Sequence, residues 1–196
     1  MMTPKQTDET ATARRRKEQV FTAAADCVRR EGFHRTSMSQ ISAAAGMSPG
    51  HIYHYFDNKE GIITGIVACQ YSELGQLIED LKHTTRQSDA ISAIVAHTPK
   101  SAARHMDVGN AALTMEILAE AARNPTVAAL IQQRDKEVSK SFRDLLGGNS
   151  PEVESRCEIV AALLEGLGAR VLRNPELGTA LDLEMLQRVV RYVLTG

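Results

Sequence analysis

A stretch of 21 residues, from Thr36 to Phe56, constrains the fold more than any other part of this 196-residue chain. It contains Ser-Met-Ser-Gln from Ser37, a capping box in which the serine and glutamine side chains each satisfy a main-chain amide at a helix start. Gly46 ends that helix after about two turns, and Ser48 with Pro49 supplies the cap and first-turn proline of another. The sequence therefore predicts two short helices that are joined by a glycine-centred turn.

The rest of the chain also shows helical periodicity. Apolar residues recur at spacings of three and four from Arg14 until Gly32, and a second capping box, Asp57 to Glu60, begins a long helix that reaches Lys82. Aromatic residues make up only 4% of the chain and tryptophan is absent, which favours helices over a sandwich of strands. We expect an all-α fold of about nine helices. The later ones are predicted over Ser88–Thr98, where Pro99 ends the helix, about 101–123, Pro125–Leu145, Glu152–Arg173 and Asp182–Leu194.

Composition excludes several classes of protein. No apolar run is long enough to span a membrane, and the polar, basic segment up to Arg16 is not a secretory signal. Three widely spaced cysteines, Cys27, Cys69 and Cys157, predict neither a disulfide framework nor a zinc site. The net charge is −1, yet residues 1–61 hold nine Lys and Arg against seven Asp and Glu, a modest positive excess. We expect a cytoplasmic protein.

The two short helices follow the helix-turn-helix plan, in which the second helix lies in the major groove of DNA. The first helix would bury Met38, Ile41 and Ala45. In the second helix Ile52 and Phe56, one turn apart, would pack inward. Its other faces would offer hydroxyl, phenol and imidazole donors to phosphates and base edges. The residues on those faces are Ser48, Gly50, His51, Tyr53, His54 and Tyr55.

From Arg14 to about Val67 the sequence resembles the TetR (tetracycline-repressor) family of bacterial transcription regulators. The block from Ala45 to Lys59 is the most specific part of the resemblance. The C-terminal two-thirds resembles the family only in its plan of several helices that end in two apolar ones. The residues that carry the resemblance are Gly32-Phe33, Thr36-Ser37-Met38, Ile41, Ala44 to Ser48, Gly50, Ile52 to Phe56 and Lys59-Glu60.

The resemblance implies roles for residues that would contact DNA. Thr36 and Ser37 would bind a phosphate through hydroxyl and amide, and the Tyr53 phenol and the Lys59 ammonium would bind phosphates too. Gly50, His51 and His54 would face base edges or their flanking phosphates, and the basic run before the first helix would reach a phosphate or the minor groove. Pro49 stands where many relatives carry a longer side chain, which removes one base contact. The full set is Arg14, Arg15, Arg16, Thr36, Ser37, Ser48, Gly50, His51, Tyr53, His54 and Lys59.

The resemblance also implies a dimer and an effector pocket in the C-terminal part. The last two helices would form a four-helix interface with a second copy through Ile159, Leu163, Gly166, Leu167, Arg170, Leu186, Val190 and Val193. A small-molecule effector would bind among the fourth to eighth helices and tilt the fourth. Candidate lining residues are Ile66, Gln70, His97, Met115, Glu116, Arg134, Phe142, Leu163 and Leu164, a mostly aliphatic set that favours a hydrophobic or amphiphilic effector.

We therefore expect a homodimeric transcriptional repressor that binds a palindromic DNA operator and is released by a small molecule. The expected domains are a flexible arm at residues 1–13, a DNA-binding domain at 14–61 with its motif at about 37–56, and an effector-binding and dimerisation domain at 62–196. The alternative is a helical small-molecule-binding protein that does not read DNA.

An enzyme is the least favoured reading. Gly46 to Gly50 spells G-x-S-x-G, but the nucleophile elbow needs a preceding strand and this sequence predicts a helix there. His51 and His54 lack a third metal ligand nearby. We expect no catalytic residue, no metal and no cofactor.

Overall fold

The computed structural model describes residues 11–85 and 90–196, and the side chains of residues 73, 74, 84 and 85 lie outside that description. Within these ranges the protein is all-α, with ten helices and no strand. The helices are α1 (Ala11–Glu31), α2 (Met38–Ala45), α3 (Pro49–Tyr55), α4 (Lys59–Thr85), α5 (Ala90–His105), α6 (Val108–Ala121), α7 (Pro125–Leu145), α8 (Pro151–Val171), α9 (Leu177–Ala180) and α10 (Leu183–Thr195). No helix of the described residues is long and apolar enough to cross a membrane.

The chain divides into two compact units after Ile66, so that α4 begins in the first and continues in the second. Most of the expected N-terminal arm, residues 1–10, lies outside the described residues. The first helix starts at Ala11, three residues before the expected Arg14. The structure therefore places the basic run inside the helix rather than ahead of it.

Side-chain caps confirm most of the predicted helix starts. The Ser37 hydroxyl accepts a hydrogen bond from the Gln40 amide, and the Gln40 side chain accepts one from the Ser37 amide. Polar side chains also cap α3, α7, α8 and α10, because each accepts a bond from an amide of the first turn that has no intrahelical partner. These caps are Ser48, Asn124, Ser150 and Asp182.

Three boundaries differ from the predictions. The amide of Gly61 donates to the side chain of Asn58, not Asp57, so the cap of α4 lies one residue later. The helix expected over about 101–123 is interrupted, because α5 ends at His105 and Asp107 caps a new helix, α6. After α8 ends at Val171, a four-residue helix, α9, precedes the last helix and was not predicted.

The prediction that Pro99 ends a helix was wrong. Helix α5 continues from Ala90 through Pro99 to His105, and the start predicted at Ser88 lies outside the described residues. Proline has no amide hydrogen, so the carbonyl of Val95 loses its ordinary partner four residues on. The Gln187 side chain of α10 donates to that carbonyl at 2.9 Å. A distant side chain therefore replaces the missing hydrogen bond inside the helix.

The first unit is held by apolar contacts around α1, α2 and α3. Ile41 and Ile52, from the two short helices, are almost completely buried. The ring of Phe21 on α1 lies 5.2 Å from that of Phe56, which follows α3. An added Cβ at Gly65 would stand 2.0 Å from the Phe21 ring, so only glycine fits there without displacing that ring.

The core of the second unit forms mainly where α5 packs on α10. Val95 and Ala102 of α5 are buried with Leu186, Val190 and Leu194 of α10 in one apolar cluster. Helices α6 and α8 add to this cluster. A Cβ atom added at Gly168 of α8 would lie 3.3 Å from the main-chain carbonyl oxygen of His105. That glycine therefore permits a close approach between helices.

The replacement of the proline hydrogen bond gives a prediction about stability. Gln187→Leu removes the side-chain donor, so that the carbonyl of the buried Val95 has no hydrogen-bond donor. We therefore expect the free energy of unfolding to fall by about 1–2 kcal/mol. Pro99→Ala restores the main-chain donor, so the same Gln187→Leu change should cost less than about 0.5 kcal/mol in that background. Urea unfolding of the four variants measures this difference. Equal losses in both backgrounds would show that the bond does not replace the helical one.

Candidate nucleic-acid interface

The turn between α2 and α3 is fixed by side chains that bind its carbonyls. Gly46 adopts a left-handed conformation with φ of 62°, which ends α2. The Ser42 hydroxyl is buried and donates to the carbonyl of Met47. From α1, the Gln19 amide donates to the carbonyl of Ala45 at 2.7 Å. These bonds hold the two short helices in one relative orientation.

Helix α3 buries one side and exposes a set of hydrogen-bonding groups on the others. Ile52 is fully buried and Phe56 nearly so, as predicted. Tyr53 is 51% exposed, although a tyrosine ring is costly to leave in water. Ser48, Gly50, His51 and His54 are also exposed.

Both imidazoles of α3 contact one ring. Tyr55 is half-buried, with the His51 ring stacked on it at 5.6 Å and the His54 ring edge-on at 5.1 Å between centroids. The helix contains no Lys, Arg, Asp or Glu. The polar face of α3 is therefore uncharged except where histidine takes up a proton.

Thr36 and Ser37 do not have the roles that the resemblance implied. Thr36 is 1% exposed, and both its hydroxyl and its amide donate to the carbonyl of Gly32, at 2.9 and 3.2 Å. It stabilises the turn after α1 and has no donor left for a phosphate. Ser37 is exposed, but its amide donates to the Gln40 side chain. Its hydroxyl also donates to that side chain, at 2.9 Å, and accepts a hydrogen bond from the Gln40 amide.

Lys59 binds carbonyls of its own unit. Its ammonium nitrogen donates to Phe33 at 2.8 Å and to Thr36 at 3.0 Å, and it lies 4.3 Å from the centroid of the Phe33 ring. The nitrogen therefore ties the start of α4 to the turn between α1 and α2. This geometry assigns Lys59 a positioning role in place of the phosphate contact we expected.

The basic residues of α1 form part of its first turns. Arg14 pairs with Glu18 at 3.3 Å, and Arg16 donates to the side chain of Gln19 at 3.1 Å. Arg14 and Arg15 are exposed and Arg16 is half-buried. Surface pairs of this kind are weak, so these guanidinium groups remain able to turn towards a phosphate.

The residues proposed for the effector pocket do not share one cavity. Phe142, Leu163 and Leu164 pack against the hydrophobic core of the second unit. Ile66 is buried at the end of the first unit. Gln70, His97, Met115 and Glu116 are half-buried on three helices, α4, α5 and α6. Four of the nine proposed residues, Ile66, Phe142, Leu163 and Leu164, therefore contribute to apolar packing.

A cleft of about 820 Å³ opens between α4 and α7, and Arg134 is the one predicted effector residue that lines it. Arg134 donates to Glu137 at 2.9 Å, while its buried Nε has no hydrogen-bond partner among the described residues. Burial, and then the charges of Asp135 and Glu165, raise the pKa of Tyr71 to about 12. Its hydroxyl on the cleft wall therefore stays protonated, and the cleft is more polar than the sequence suggested.

The residues proposed for dimerisation divide between two faces. Leu186 and Val190 are buried in the core of their own chain, and Leu163, Leu167 and Val193 pack against that core. Leu186 and Val190 are therefore covered by their own chain, whereas Leu163, Leu167 and Val193 are half-buried and keep part of their surface exposed. Ile159, Gly166 and Arg170 are exposed on α8. On α10 the exposed large apolar residues are Met185, Val189 and Tyr192, none of which belongs to the set proposed for the interface.

Comparisons with known proteins agree with this geometry. The family model described as bacterial regulatory proteins, tetR family, matches residues 20–66. The HTH-type transcriptional regulator UidR of Escherichia coli K12 is 28% identical over 166 residues, which cover 84% of this chain and 80% of that protein. The fatty acid metabolism regulator protein of Bacillus subtilis 168 is 27% identical, with 82% and 77% covered.

Solved structures share the fold. Salmonella enterica GusR superposes with a TM-score of 0.76 at 24% identity and covers 97% of this chain and 98% of its own. The regulator FadR of Bacillus subtilis, in complex with stearoyl-CoA, gives 0.70 at 21% identity, with 91% and 97% covered. The similarity in fold thus extends over both units.

The first unit is a helix-turn-helix DNA-binding domain, and the chain is a transcriptional regulator. Over residues 20–66 the chain is similar to the TetR family of bacterial regulatory proteins.

The environment of Lys59 predicts a loss of stability when it is changed. Lys59→Ala removes a charged donor from two main-chain carbonyls, so the free energy of unfolding should fall by about 1–3 kcal/mol. Lys136→Ala, at an exposed position on α7, should change it by less than about 0.5 kcal/mol. Thermal or urea unfolding followed by circular dichroism compares them. If Lys59→Ala kept its stability but bound DNA more weakly, Lys59 would be a phosphate contact, as first expected.

Proposed function

We propose that the protein is a homodimeric repressor that places α3 in the major groove of a palindromic operator and leaves the DNA when a small molecule binds the second unit. The observation that carries the DNA-reading part is the exposed donor face of α3 on a unit whose helices are fixed by internal hydrogen bonds. Residues 14–61 would form the DNA-binding domain, and 62–196 the effector and dimerisation domain. Tyr53, His51 and His54 would make the contacts of α3, with Ser37, Ser48 and Arg14 to Arg16 on phosphates.

Gly50 supports the close approach of α3 to DNA. An added Cβ there would meet nothing within 4 Å, so the fold itself does not require glycine. Alanine is also favoured over glycine in a helix, by about 1 kcal/mol. A glycine on the exposed face of α3 is therefore explained by the surface that this helix approaches and not by its own packing.

Gly50→Ala tests this proposal because folding and DNA binding should respond in opposite directions. Stability should be unchanged or slightly higher, while affinity for the operator should fall about tenfold or more, since the methyl group stands between α3 and the groove. The operator is obtained first, by selecting bound duplexes from a random pool at about physiological salt. Gly178→Ala, in similarly open space in the second unit, is the control. Selection without any enriched duplex, using protein that has been unfolded and refolded to remove ligand, would favour the non-reading alternative.

An exposed apolar face supports the dimer. Ile159 of α8 is 54% exposed, and Met185 and Tyr192 of α10 are 55% and 74% exposed. Gly166 lies on the same side of α8 as Ile159 and has no neighbour within 4 Å of an added Cβ, which leaves room for a facing helix. A two-fold dimer through this face would set two α3 helices about one turn of duplex apart, at roughly 34–36 Å.

Charged substitutions distinguish the two faces of α10. Val189→Asp, at an exposed position, should yield a folded monomer in sedimentation experiments, because one charge per subunit would be buried in the interface. Val190→Asp, next to it but fully buried, should unfold the chain instead. Leu118→Asp, on the exposed surface of α6, is the control and should leave the dimer intact. A dimeric Val189→Asp protein would contradict this interface.

The α4–α7 cleft is where we place the effector. It is large enough for a small molecule, and one of its walls is α4, the helix that continues from the DNA-binding unit. An effector that binds one position of α4 more tightly than another would shift the equilibrium between DNA-competent and incompetent dimers by that difference in affinity. Tyr71 and Arg134 offer hydrogen-bond donors to it.

A further inference from the structure

The charge of the DNA-reading surface depends on two histidines. Helix α3 contains no Lys, Arg, Asp or Glu, and His51 and His54 are the only side chains in it that can become cationic. Both are exposed. Histidine is the side chain that changes charge between about pH 5 and pH 8. The helix proposed to enter the major groove thus has two side chains that can take up a proton and no other ionisable group except its tyrosines.

The lysine and arginine side chains of the first unit lie outside α3. Lys59 donates to carbonyls of Phe33 and Thr36 and is held in the turn before α2. Helix α2, which packs against α3, contains no titratable residue. The exposed Arg14 and Arg15 lie on α1, where Arg14 forms a weak surface pair with Glu18. The two histidines are therefore the basic side chains that α3 itself contributes to this face.

The neighbours of the imidazoles leave their outer edges accessible. Tyr55 is the titratable side chain in contact with both rings, through its ring face and edge. Tyr53 lies between them along the helix, and Asp57 follows two residues after Tyr55. None of the hydrogen bonds described for α3 uses an imidazole nitrogen, since the Ser48 cap binds the main-chain amide of His51. A phosphate or base edge can therefore accept a hydrogen bond from either ring.

We propose that operator binding is linked to proton uptake by His51 and His54, so that the protein is a pH-responsive repressor. This inference rests on the proposed function, because it requires α3 to lie against DNA. A polyanion favours the protonated imidazole, so the DNA-bound dimer holds more protons than the free dimer. By linkage, affinity then rises as pH falls and decreases as pH rises, by up to tenfold per pH unit for each proton taken up. With two copies of α3, as many as four imidazoles contribute.

The test measures the dissociation constant for the selected operator between about pH 6 and pH 8, at constant ionic strength and with the full-length dimer. Fluorescence anisotropy should show binding at least about tenfold tighter at the lower pH, with a steeper dependence on salt there because more counterions are released. Calorimetry in buffers of different ionisation enthalpy should show protons taken up on binding. The His51→Gln/His54→Gln variant should bind with little pH dependence and no proton uptake.

His34→Gln is the matched control. His34 is an exposed histidine of the same unit that contacts Phe33 and lies outside α3. This variant should keep the pH dependence of the wild type. If the double variant binds too weakly to measure, each single variant should show about half the wild-type proton uptake.

Different results would separate a failure of the histidine linkage from a failure of the proposed DNA binding. Wild-type binding without proton uptake, or uptake that persists in the double variant, would overturn the histidine linkage while leaving the repressor intact. Loss of sequence preference in His51→Gln without a change in pH dependence would assign that ring to neutral base contacts instead. A wild-type protein that enriches no duplex at either pH would refute the DNA-reading function itself.

Discussion

The DNA-binding unit depends on hydrogen bonds from side chains to main-chain carbonyls. Helices of seven and eight residues are too short to be stable alone, and their few buried residues leave the connecting turns to be fixed by other means. Gln19, Ser42 and Lys59 each donate to carbonyls in these turns. These bonds set the orientation of α3, so the surface offered to DNA depends on residues that do not lie on it.

Hydrogen bonds from side chains to main-chain carbonyls also connect helices of the second unit. Gln187 supplies the donor that Pro99 lacks, and the Arg104 side chain donates to the carbonyl of Gln70 on α4 at 3.2 Å. These bonds join α10 to α5 and α5 to α4, in addition to the apolar contacts between them. Unlike hydrophobic packing, a hydrogen bond has a defined length and direction. It therefore fixes the register of one helix against the next.

Features that depend on neighbouring residues in the sequence could be predicted. The caps at Ser37, Ser48 and Asn124, and the burial of Ile52 and Phe56, follow from spacings of three or four residues. Features that depend on distant partners could not. Pro99 looks like a helix stop unless Gln187, 88 residues later, is known to be its partner. The roles of Thr36 and Lys59 were assigned from their positions in the motif, and only the carbonyls that they bind show that these groups are occupied.

Helix α10 shows a second limit. Its sequence is apolar on two sides, and periodicity does not tell which side belongs to the core. The structure buries Leu186, Val190 and Leu194 and exposes Met185, Val189 and Tyr192. The fold thus buries one apolar face of α10 and leaves the other exposed. The two units share this separation, because in α3 as well the residues that anchor the helix, such as Ile52, are distinct from the exposed ones, such as His51 and Tyr53. Substitutions at the exposed positions can therefore change the surface of the protein at little cost to the fold.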